Sequence, residues 1–491
     1  MPRMDRRDFL ERAGGFAVVA GFAGPFRIAE SLRDPRLREL DKLVQGDVLG
    51  RADDGYDAGR QVYSRRVGTQ PFAIVYAESA RDVQRTILWA RKHDLRIAPR
   101  SGGHSYGGYS LSPGVVVDVS RLNRIAVGSG QATIGAGAKL YDVYATLADH
   151  GVTVPGGSCP TVGIAGLTLG GGNGYSARKL GLTCDSLREV RIVTADGKAL
   201  VANAKQHSDL FWACRGGGGG NFGIATSFIF RTHPVGNVAT YRCSWPWAQA
   251  KQAIRGWQRW APHAPAELMC VIDLLSGAMS PTVTSGGQLF GSEARLRTLL
   301  SQLFAATGQP AGLTVRTRSF MDAQRYWADC RDAADCKASV HATFKAKSDY
   351  VNKPLPESAI DLLVTAMDNH QADSRLGGAA ILLDAHGGSA VNRVPRSATA
   401  FVHRDALFSI QYIASWGSST VAQANLGWIQ KLYADMRPHV SGFAYQNYID
   451  PDLATWKHAY YGTNLPRLAR VKRKYDPKNV FRFAQSIPLA A

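Results

Sequence analysis

Two nucleophilic side chains set among glycines are the strongest chemical signal in this sequence. His104 stands in Arg-Ser-Gly-Gly-His-Ser-Tyr (100–106), and Cys159 stands in Gly-Ser-Cys-Pro-Thr-Val-Gly (157–163). Glycine lets a backbone approach a large flat ligand closely, and imidazole and thiol groups can both bond to an electrophilic carbon. The pair therefore predicts two attachment points for one cofactor. Taken alone, His104 could equally be a hydrogen-bonded loop histidine and Cys159 a buried thiol.

Two further glycine clusters bear on the same cofactor. Residues 170–177, Gly-Gly-Gly-Asn-Gly-Tyr-Ser-Ala, contain the spacing of a Rossmann dinucleotide turn. That turn requires a helix of several turns, whereas Gly181 ends any helix here within about two turns. The five glycines at 216–220 could direct many backbone N–H groups at phosphate or carbonyl oxygens. We therefore predict a pyrophosphate and a flavin ring laid over exposed backbone, and reject a Rossmann NAD site.

Composition limits the classes of protein and ligand. The 491 residues, 45% of them hydrophobic, suffice for about two to four domains. The net charge is +19, but Lys and Arg are scattered or alternate with apolar residues as on helix faces, so no nucleic-acid partner is predicted. The seven cysteines lack zinc-like spacing, so no metal site is expected. Cys330 and Cys336 are close enough for a disulfide in an exported protein, although the sequence leaves the pairing open.

Residues 1–35 have the features of an export signal. The twin arginine Arg6-Arg7 precedes a stretch of small and apolar residues at 13–24. That stretch is too short and glycine-rich to span a bilayer, and no other segment approaches about 18 uninterrupted apolar residues, so no integral membrane segment is predicted. We expect export by the twin-arginine route, to the periplasm or the outside. The alternative is an amphipathic helix that stays on the protein, which would then be cytoplasmic.

The rest of the chain divides into three parts. Between about 68 and 236, short β-branched strands alternate with helices such as 79–93, and a hairpin is predicted around Asp196-Gly197. Between 237 and 440, longer strands carry helices on one side, which indicates an antiparallel sheet. Residues 441–491 contain one more helix. The predicted fold class is therefore α+β.

Several ordered motifs resemble those of the berberine bridge enzyme-like FAD-linked oxidoreductases, in the vanillyl-alcohol oxidase and p-cresol methylhydroxylase superfamily. Beside the four glycine-rich segments, the carriers are Phe-Val-His-Arg (401–404), Tyr-Gln-Asn-Tyr (445–448) and Tyr-Asp-Pro-Lys-Asn-Val-Phe (475–481). The resemblance runs from Pro71 to the end of the chain. It implies FAD as the cofactor, a two-part FAD-binding domain of p-cresol methylhydroxylase type, a substrate domain, and a C-terminal segment that returns to the FAD domain.

The resemblance also assigns roles to residues of the glycine-rich loops. His104 would hold the flavin 8α-methyl group through a ring nitrogen, and Cys159 would form a thioether at flavin C6. Relatives with both bonds have an elevated flavin potential and an open cleft that suits bulky or oligomeric substrates. The other residues expected to bind FAD are Arg100, Ser101, Gly102, Gly103, Ser105, Val162, Gly163, Gly166, Gly170, Gly171, Gly174, Asn221, Gly223, Ile224, Asn447 and Asn479.

Three residues are candidates for the catalytic base. A flavin accepts hydride at N5, so oxidation of an alcohol requires a base for the hydroxyl proton. Asp384 stands where relatives carry a carboxylate base, and Tyr445 and Tyr448 occupy a motif from which a tyrosine can act. A phenol with a pKa of about 10 is a poor base near neutrality unless a cation or the electron-poor flavin favours its phenolate. We favour a tyrosine base assisted by Asp384. The alternatives are that the carboxylate itself is the base, that Asp384 is only a turn residue at the end of a strand, and that the two tyrosines only pack against other side chains. On a strand, only one tyrosine could face the cleft.

The residue type at position 162 predicts whether O2 can reach the flavin. In the family, the residue three after the flavin-linked cysteine gates oxygen access, with valine permitting it and leucine or isoleucine hindering it. The expected function is therefore an exported, bicovalently flavinylated oxidase that acts on a hydroxyl of a carbohydrate or secondary metabolite, uses O2 and makes H2O2. The alternatives are a flavin dehydrogenase with another acceptor and a flavin-carrying binding protein without turnover. The sequence leaves the oligomeric state open.

Overall fold

The computed structural model describes residues 34–277 and 280–490. The export signal expected over residues 1–35 therefore lies almost wholly outside the described residues. Within those two ranges, no helix combines the length and the apolar character needed to cross a bilayer.

Eleven strands belong to the first part of the chain. They are β1 (Val48–Gly50), β2 (Ala73–Tyr76), β3 (Ile97–Arg100), β4 (Val115–Asp118), β5 (Ile125–Gly128), β6 (Gln131–Gly135), β7 (Val152–Thr153), β8 (Leu187–Val193), β9 (Ala199–Asn203), β10 (Ile224–Arg231) and β11 (His233–Pro234). One sheet has the order β1-β2-β4-β3, a second has the order β5-β6-β10-β8-β9, and β7 pairs with β11. Because β1 pairs with β2, this part begins ahead of residue 68, where the sequence placed its start.

Short helices connect these strands. They are Pro35–Leu43, Tyr56–Gly59, Ala80–Lys92, Leu140–Ala148, Ile164–Leu169, Ala177–Leu180 and Ser208–Ala213. The helix expected over 79–93 is confirmed, because the Ser79 hydroxyl accepts from the N–H of Asp82 at 3.2 Å and caps it. The glycine cluster at 170–177 lies between a six-residue helix and the single turn Ala177–Leu180, which is not the strand and long helix of a Rossmann unit.

The second part is built on one antiparallel sheet. Its strands are β12 (Val238–Trp245), β13 (Leu268–Ser276), β14 (Thr282–Leu289), β15 (Gly312–Arg318), β16 (Phe344–Val351), β17 (Gly378–Ala385) and β18 (Phe408–Ser415), in the order β15-β12-β14-β13-β17-β18-β16. Its helices are Ala250–Trp260, Glu293–Thr307, Phe320–Ala328, Ala333–Lys337, Glu357–Ala372, Ala390–Arg393 and Ala422–Met436. The four longest helices pack on one another and on the sheet, which confirms the expected sheet backed by helices.

The C-terminal part returns to the first part, as expected. It contains the helices Trp456–Tyr461 and Leu465–Tyr475 and the 3₁₀ turn Gln446–Tyr448. The buried ammonium of Lys472 donates to the carbonyl oxygen of Asn221 at 2.8 Å and to the Asp476 carboxylate at 2.7 Å. These bonds tie the last long helix to the glycine-rich loop that precedes β10.

Two buried histidines predict that acid destabilises the fold. Burial lowers the pKa of His386 and of His403 to about 3, so both stay neutral when folded while the unfolded chain takes up protons below about 6.5. Stability from each is therefore complete above the unfolded pKa and is lost as the pH falls toward the folded pKa. We expect each to cost about 2 kcal/mol between pH 7 and 5.

Denaturant titrations at pH 7, 6 and 5 test this expectation. The wild type should lose about 2 kcal/mol more than His403→Gln over that range, whereas a His150→Gln variant, changed at an exposed site, should follow the wild type. An equal loss in the wild type and in His403→Gln would show that His403 contributes nothing to the acid sensitivity.

Candidate active site

A deep cleft lies between the first part, the seven-stranded sheet and the C-terminal segment. Its volume is about 370 Å³. Most of the residues expected from the sequence line it: Arg100, Ser101, Gly102, Gly103, His104, Ser105, Cys159, Val162, Gly163, Gly166, Asn221, Gly223, Ile224, Tyr445, Asn447 and Tyr448. Segments separated by up to about 350 residues in sequence therefore converge on one concave surface, which is typical of a ligand site.

Backbone-to-backbone packing joins the His104 loop to the Cys159 loop. A Cβ atom on Gly102 would lie 2.3 Å from the backbone nitrogen of Gly163, and one on Gly163 would lie 2.0 Å from Oγ of Ser101. Any larger side chain would push the two loops apart. Glycine at both positions is thus what brings an imidazole and a thiol into the same cleft.

His104 is held on two sides. Its Nε2 lies 2.9 Å from Oγ1 of Thr161, and its ring stacks on Tyr63 with centroids 4.4 Å apart. Burial, with a smaller contribution from Lys139, lowers the pKa of His104 to about 3. A neutral imidazole keeps a lone pair and can act as a nucleophile. Cys159 is exposed to the cleft.

Arg100 and Asn221 line the cleft in different ways. The Nε of Arg100 donates to the Asp118 carboxylate, and its buried Nη1 has no hydrogen-bond partner among the residues that the structure describes. A cofactor oxygen would satisfy that N–H group. Asn221 instead binds its own loop, since Nδ2 contacts the carbonyl oxygen of Gly217 at 3.2 Å and Oδ1 accepts from the N–H of Ile487 at 2.9 Å. Asn221 therefore shapes the glycine loop from within the cleft wall, and its role as an FAD ligand stays a prediction.

Four other residues expected to bind FAD are not among those that line the cleft: Gly170, Gly171, Gly174 and Asn479. A Cβ on Gly170 would lie 1.9 Å from Oδ1 of Asn447, and one on Gly174 would lie 1.9 Å from the carbonyl oxygen of Gly156. Gly171 likewise packs against Phe401 and Tyr445. Asn479 sits in a turn after the last long helix with φ of 51°. The contacts of the three glycines are those of close packing, and contact of the four residues with FAD stays a prediction.

Tyr445 is buried with two N–H groups directed at its oxygen. The phenol accepts from the backbone N–H of Gly172 at 2.8 Å and from Nδ2 of Asn447 at 3.0 Å. Burial raises the pKa of Tyr445 well above its ordinary value, and the two hydrogen bonds oppose that shift because they favour the phenolate. The arrangement can therefore hold a proton on the phenol and stabilise the anion once the proton leaves.

Both tyrosines of the Tyr-Gln-Asn-Tyr motif face the cleft. Tyr445 directly precedes the 3₁₀ turn Gln446–Tyr448 and Tyr448 ends it, so the two do not alternate along a strand, and the expectation that only one could face the cleft is wrong. The Tyr448 ring lies edge-on to Tyr445 with centroids 4.9 Å apart and parallel to Tyr106 with centroids 5.6 Å apart. An aromatic wall results beside the buried phenol.

Asp384 stands just behind this wall. It lies on β17, on the same face as the cleft residue Ala380, but does not itself line the cleft. Its carboxylate accepts from Nδ2 of Asn173, a cleft residue, at 3.3 Å. Gly172 donates to Tyr445, so the dipeptide Gly172-Asn173 connects both candidate bases. The geometry therefore connects Asp384 to the cleft through Asn173, and the catalytic role of Asp384 stays a prediction.

Several cleft residues were missed by sequence reasoning: Tyr63, Tyr106, Thr161, Asn173, Trp327, Phe344 and Gln411. Tyr106 and Thr161 stand inside the quoted motifs, so their spacing from His104 and Cys159 was an available signal. Tyr63 precedes the resemblance, and the sequence offers no signal for it. The disulfide between Cys330 and Cys336, which the sequence left open, is formed, and its loop lines one end of the cleft.

Comparisons with known sequences agree on one family. A family model described as an FAD binding domain matches residues 71–203, and one described as berberine and berberine like matches residues 444–488. FAD-linked oxidoreductase YgaK of Bacillus subtilis is 35% identical over 457 residues, covering 92% of this chain and 98% of that protein. Monolignol oxidoreductase AtBBE-like 13 of Arabidopsis thaliana is 32% identical, covering 83% of this chain and 82% of the relative.

Solved structures agree as well. BBE-like 1 of Physcomitrella patens has a TM-score of 0.86 with 34% identity, covering 93% of this chain and 99% of that one. A xylooligosaccharide oxidase from Myceliophthora thermophila has a TM-score of 0.84 with 27% identity, and the grass pollen allergen Phl p 4, with glucose dehydrogenase activity, has 0.84 with 29%; each covers 93% of this chain and is covered fully. The cleft, with its glycine loops and the unpaired Nη1 of Arg100, fits FAD, and the chain belongs to the berberine bridge enzyme-like family of FAD-linked oxidoreductases.

Proposed function

We propose that this protein is an exported oxidase whose FAD is bonded to both His104 and Cys159, and which oxidises a hydroxyl-bearing carbon of a carbohydrate or secondary metabolite and passes the electrons to O2. The observation that carries the proposal is the packing of Gly102 against Gly163, which places a neutral imidazole and an exposed thiol in one cleft. A doubly bonded cofactor does not need protein closed over it. An open cleft then suits an oligomeric or bulky substrate.

Different residues around the cleft would transfer the substrate proton and orient the groups beside it. When bound, the flavin supplies the hydride acceptor. As the phenolate, which the N–H groups of Gly172 and Asn447 stabilise, Tyr445 takes the substrate hydroxyl proton and becomes the neutral phenol. Asp384 keeps Asn173 directed into the cleft. This assignment keeps a tyrosine as the base and an assisting role for Asp384.

The names of the structural neighbours support the substrate class. One neighbour is a chitooligosaccharide oxidase, and a second is a xylooligosaccharide oxidase solved with xylobiose. Aromatic residues such as Tyr106 and Tyr448 line the cleft here and offer flat surfaces to a sugar or aromatic ring. A peroxide-coupled screen of mono- and oligosaccharides and of aromatic alcohols tests the proposal. Turnover that reduces a dye acceptor but produces no H2O2 in air would show a dehydrogenase instead.

Removal of one of the two proposed covalent bonds to the flavin, here called tethers, should leave the other bond intact. We expect His104→Ala and Cys159→Ala each to retain acid-stable flavin through the remaining bond, and the double variant to release its FAD on acid precipitation. Fluorescence of the pellet and the supernatant measures the division. Free FAD in the supernatant of either single variant, at the level of the double variant, would contradict independent bonds at the two residues.

A further inference from the structure

The imidazole of His104 is clamped between two residues that the proposed function does not use. Tyr63 covers one face of the ring, with an angle of 18° between the two planes. Thr161 engages the ring edge at Nε2. These contacts together fix the plane of the ring and the nitrogen that is left for another bond.

The backbone on both sides of His104 holds the clamp in place. The N–H of Tyr63 donates to the carbonyl oxygen of Gly103 at 3.1 Å, and its carbonyl oxygen accepts from the N–H of Ala342 at 2.9 Å. The segment around Tyr63 therefore bridges the His104 loop and the substrate sheet. Thr161 is buried, and its carbonyl oxygen lies 2.8 Å from where a Cβ of Gly102 would be. Neither residue can shift without moving a glycine contact.

We propose that Tyr63 and Thr161 are positioning residues for the bond between His104 and the flavin, with Tyr63 setting the ring plane and Thr161 reserving Nε2 so that Nδ1 meets the 8α carbon. This inference rests on the proposed attachment at His104. The lowered pKa of His104 agrees with it, because the ring must be neutral to attack.

Formation of the bond between His104 and the flavin reverses the hydrogen-bonding role of the Thr161 hydroxyl. Attachment forms a bond from Nδ1 to the 8α carbon, and one hydrogen leaves the methyl group and one leaves the imidazole. Both would leave as protons, the electron pair of the broken C–H bond would reduce the flavin by two electrons, and O2 would reoxidise it to give H2O2. Before the bond forms, the Thr161 hydroxyl accepts from Nε2–H; afterwards Nε2 carries no hydrogen and the same hydroxyl donates to it. A hydroxyl can do both by rotation, whereas a methyl group can do neither.

Variants in a Cys159→Ala background isolate the His104 bond, since all acid-stable flavin must then be on His104. We expect Thr161→Val to lower the ratio of acid-stable to total bound flavin at least about tenfold, as loss of one hydrogen bond in the reacting arrangement would. Thr161→Ser should restore the ratio. Tyr63→Leu should lower it and Tyr63→Phe should keep it, because phenylalanine preserves the stack. Peptide mapping identifies the bonded residue, and bound FAD reports folding.

The outcomes separate the clamp from the tether. Full acid-stable flavin on His104 in both Thr161→Val and Tyr63→Leu overturns the clamp and leaves the proposed function standing. No acid-stable flavin in the Cys159→Ala parent overturns the tether at His104 and the clamp with it. A Thr161→Ser variant as poor as Thr161→Val also contradicts the clamp, since the serine hydroxyl can still bond to Nε2.

Discussion

Replacement of Tyr445 by phenylalanine should lower kcat by at least about a hundredfold, the usual effect of removing a general base, while the flavin spectrum stays unchanged. The phenol lies buried under the N–H groups of Gly172 and Asn447, which have no acceptor there once the oxygen is gone. The matched control is Tyr448→Phe, changed three residues away on the same turn, which should lose less than about tenfold. A larger loss in Tyr448→Phe than in Tyr445→Phe would assign the base to the other tyrosine.

The pH dependence of the same variants gives a second readout. Burial raises the pKa of Tyr445, so its phenolate is scarce at neutral pH and its population rises with pH. We therefore expect kcat of the wild type to increase from pH 6 toward pH 9 and this increase to vanish in Tyr445→Phe. Asp384→Asn should keep the increase at a lower overall rate, because the charged acceptor of Asn173 becomes a neutral amide oxygen while the phenol remains. An increase that disappears in Asp384→Asn and survives in Tyr445→Phe would make the carboxylate the base.

Replacement of Val162 by isoleucine should slow the reaction of the reduced enzyme with O2 by about a hundredfold, equivalent to roughly 2.7 kcal/mol of barrier. Val162 lines the cleft three residues after Cys159. If O2 reaches the flavin past Val162, as proposed, the extra methylene narrows that route, and the close backbone contacts of Gly163 leave the loop little room to move away. Stopped-flow reoxidation after anaerobic reduction measures this rate.

Val162→Ala is the matched control for the oxygen gate. It should reoxidise as fast as the wild type, and both variants should be reduced by substrate at the wild-type rate. Among the structural neighbours, Phl p 4 is named a glucose dehydrogenase, and a variant with one isoleucine replaced by valine is named a glucose oxidase. Equal reoxidation of Val162→Ile and the wild type would remove the steric account of oxygen use.

The local part of the site could be predicted from the sequence. His104, Cys159 and the glycines beside them stand in short motifs whose chemistry follows from residue type and spacing. Gly102 and Gly163 confirm that glycine is needed there for close backbone approach, since a Cβ atom on either residue would collide with the other loop. Elements with strong hydrophobic periodicity or a clear turn signal, such as the helix 79–93 and the hairpin around Asp196-Gly197, could also be predicted to within a few residues.

The features of the site that the sequence did not predict depend on packing between segments that are distant in the chain. Tyr63 stacks on His104 only because its backbone bridges Gly103 and Ala342, and no local pattern encodes that contact. Asp384 was predicted to assist a tyrosine base, but its hydrogen bond to the cleft residue Asn173, 211 positions away, could not be predicted from the sequence. Neighbouring glycines also differ, since Gly170 packs against Asn447 while Gly166 lines the cleft, and composition alone does not distinguish a packing glycine from a cleft-lining one.

Peptide mapping of the denatured wild-type enzyme tests the central claim most directly. Mass spectrometry after proteolysis should find one flavin joining the peptide that contains His104 to the peptide that contains Cys159, and intact protein in denaturant should carry the full mass of one FAD. Unmodified His104 and Cys159 peptides, with all the FAD released by denaturation, would contradict the account.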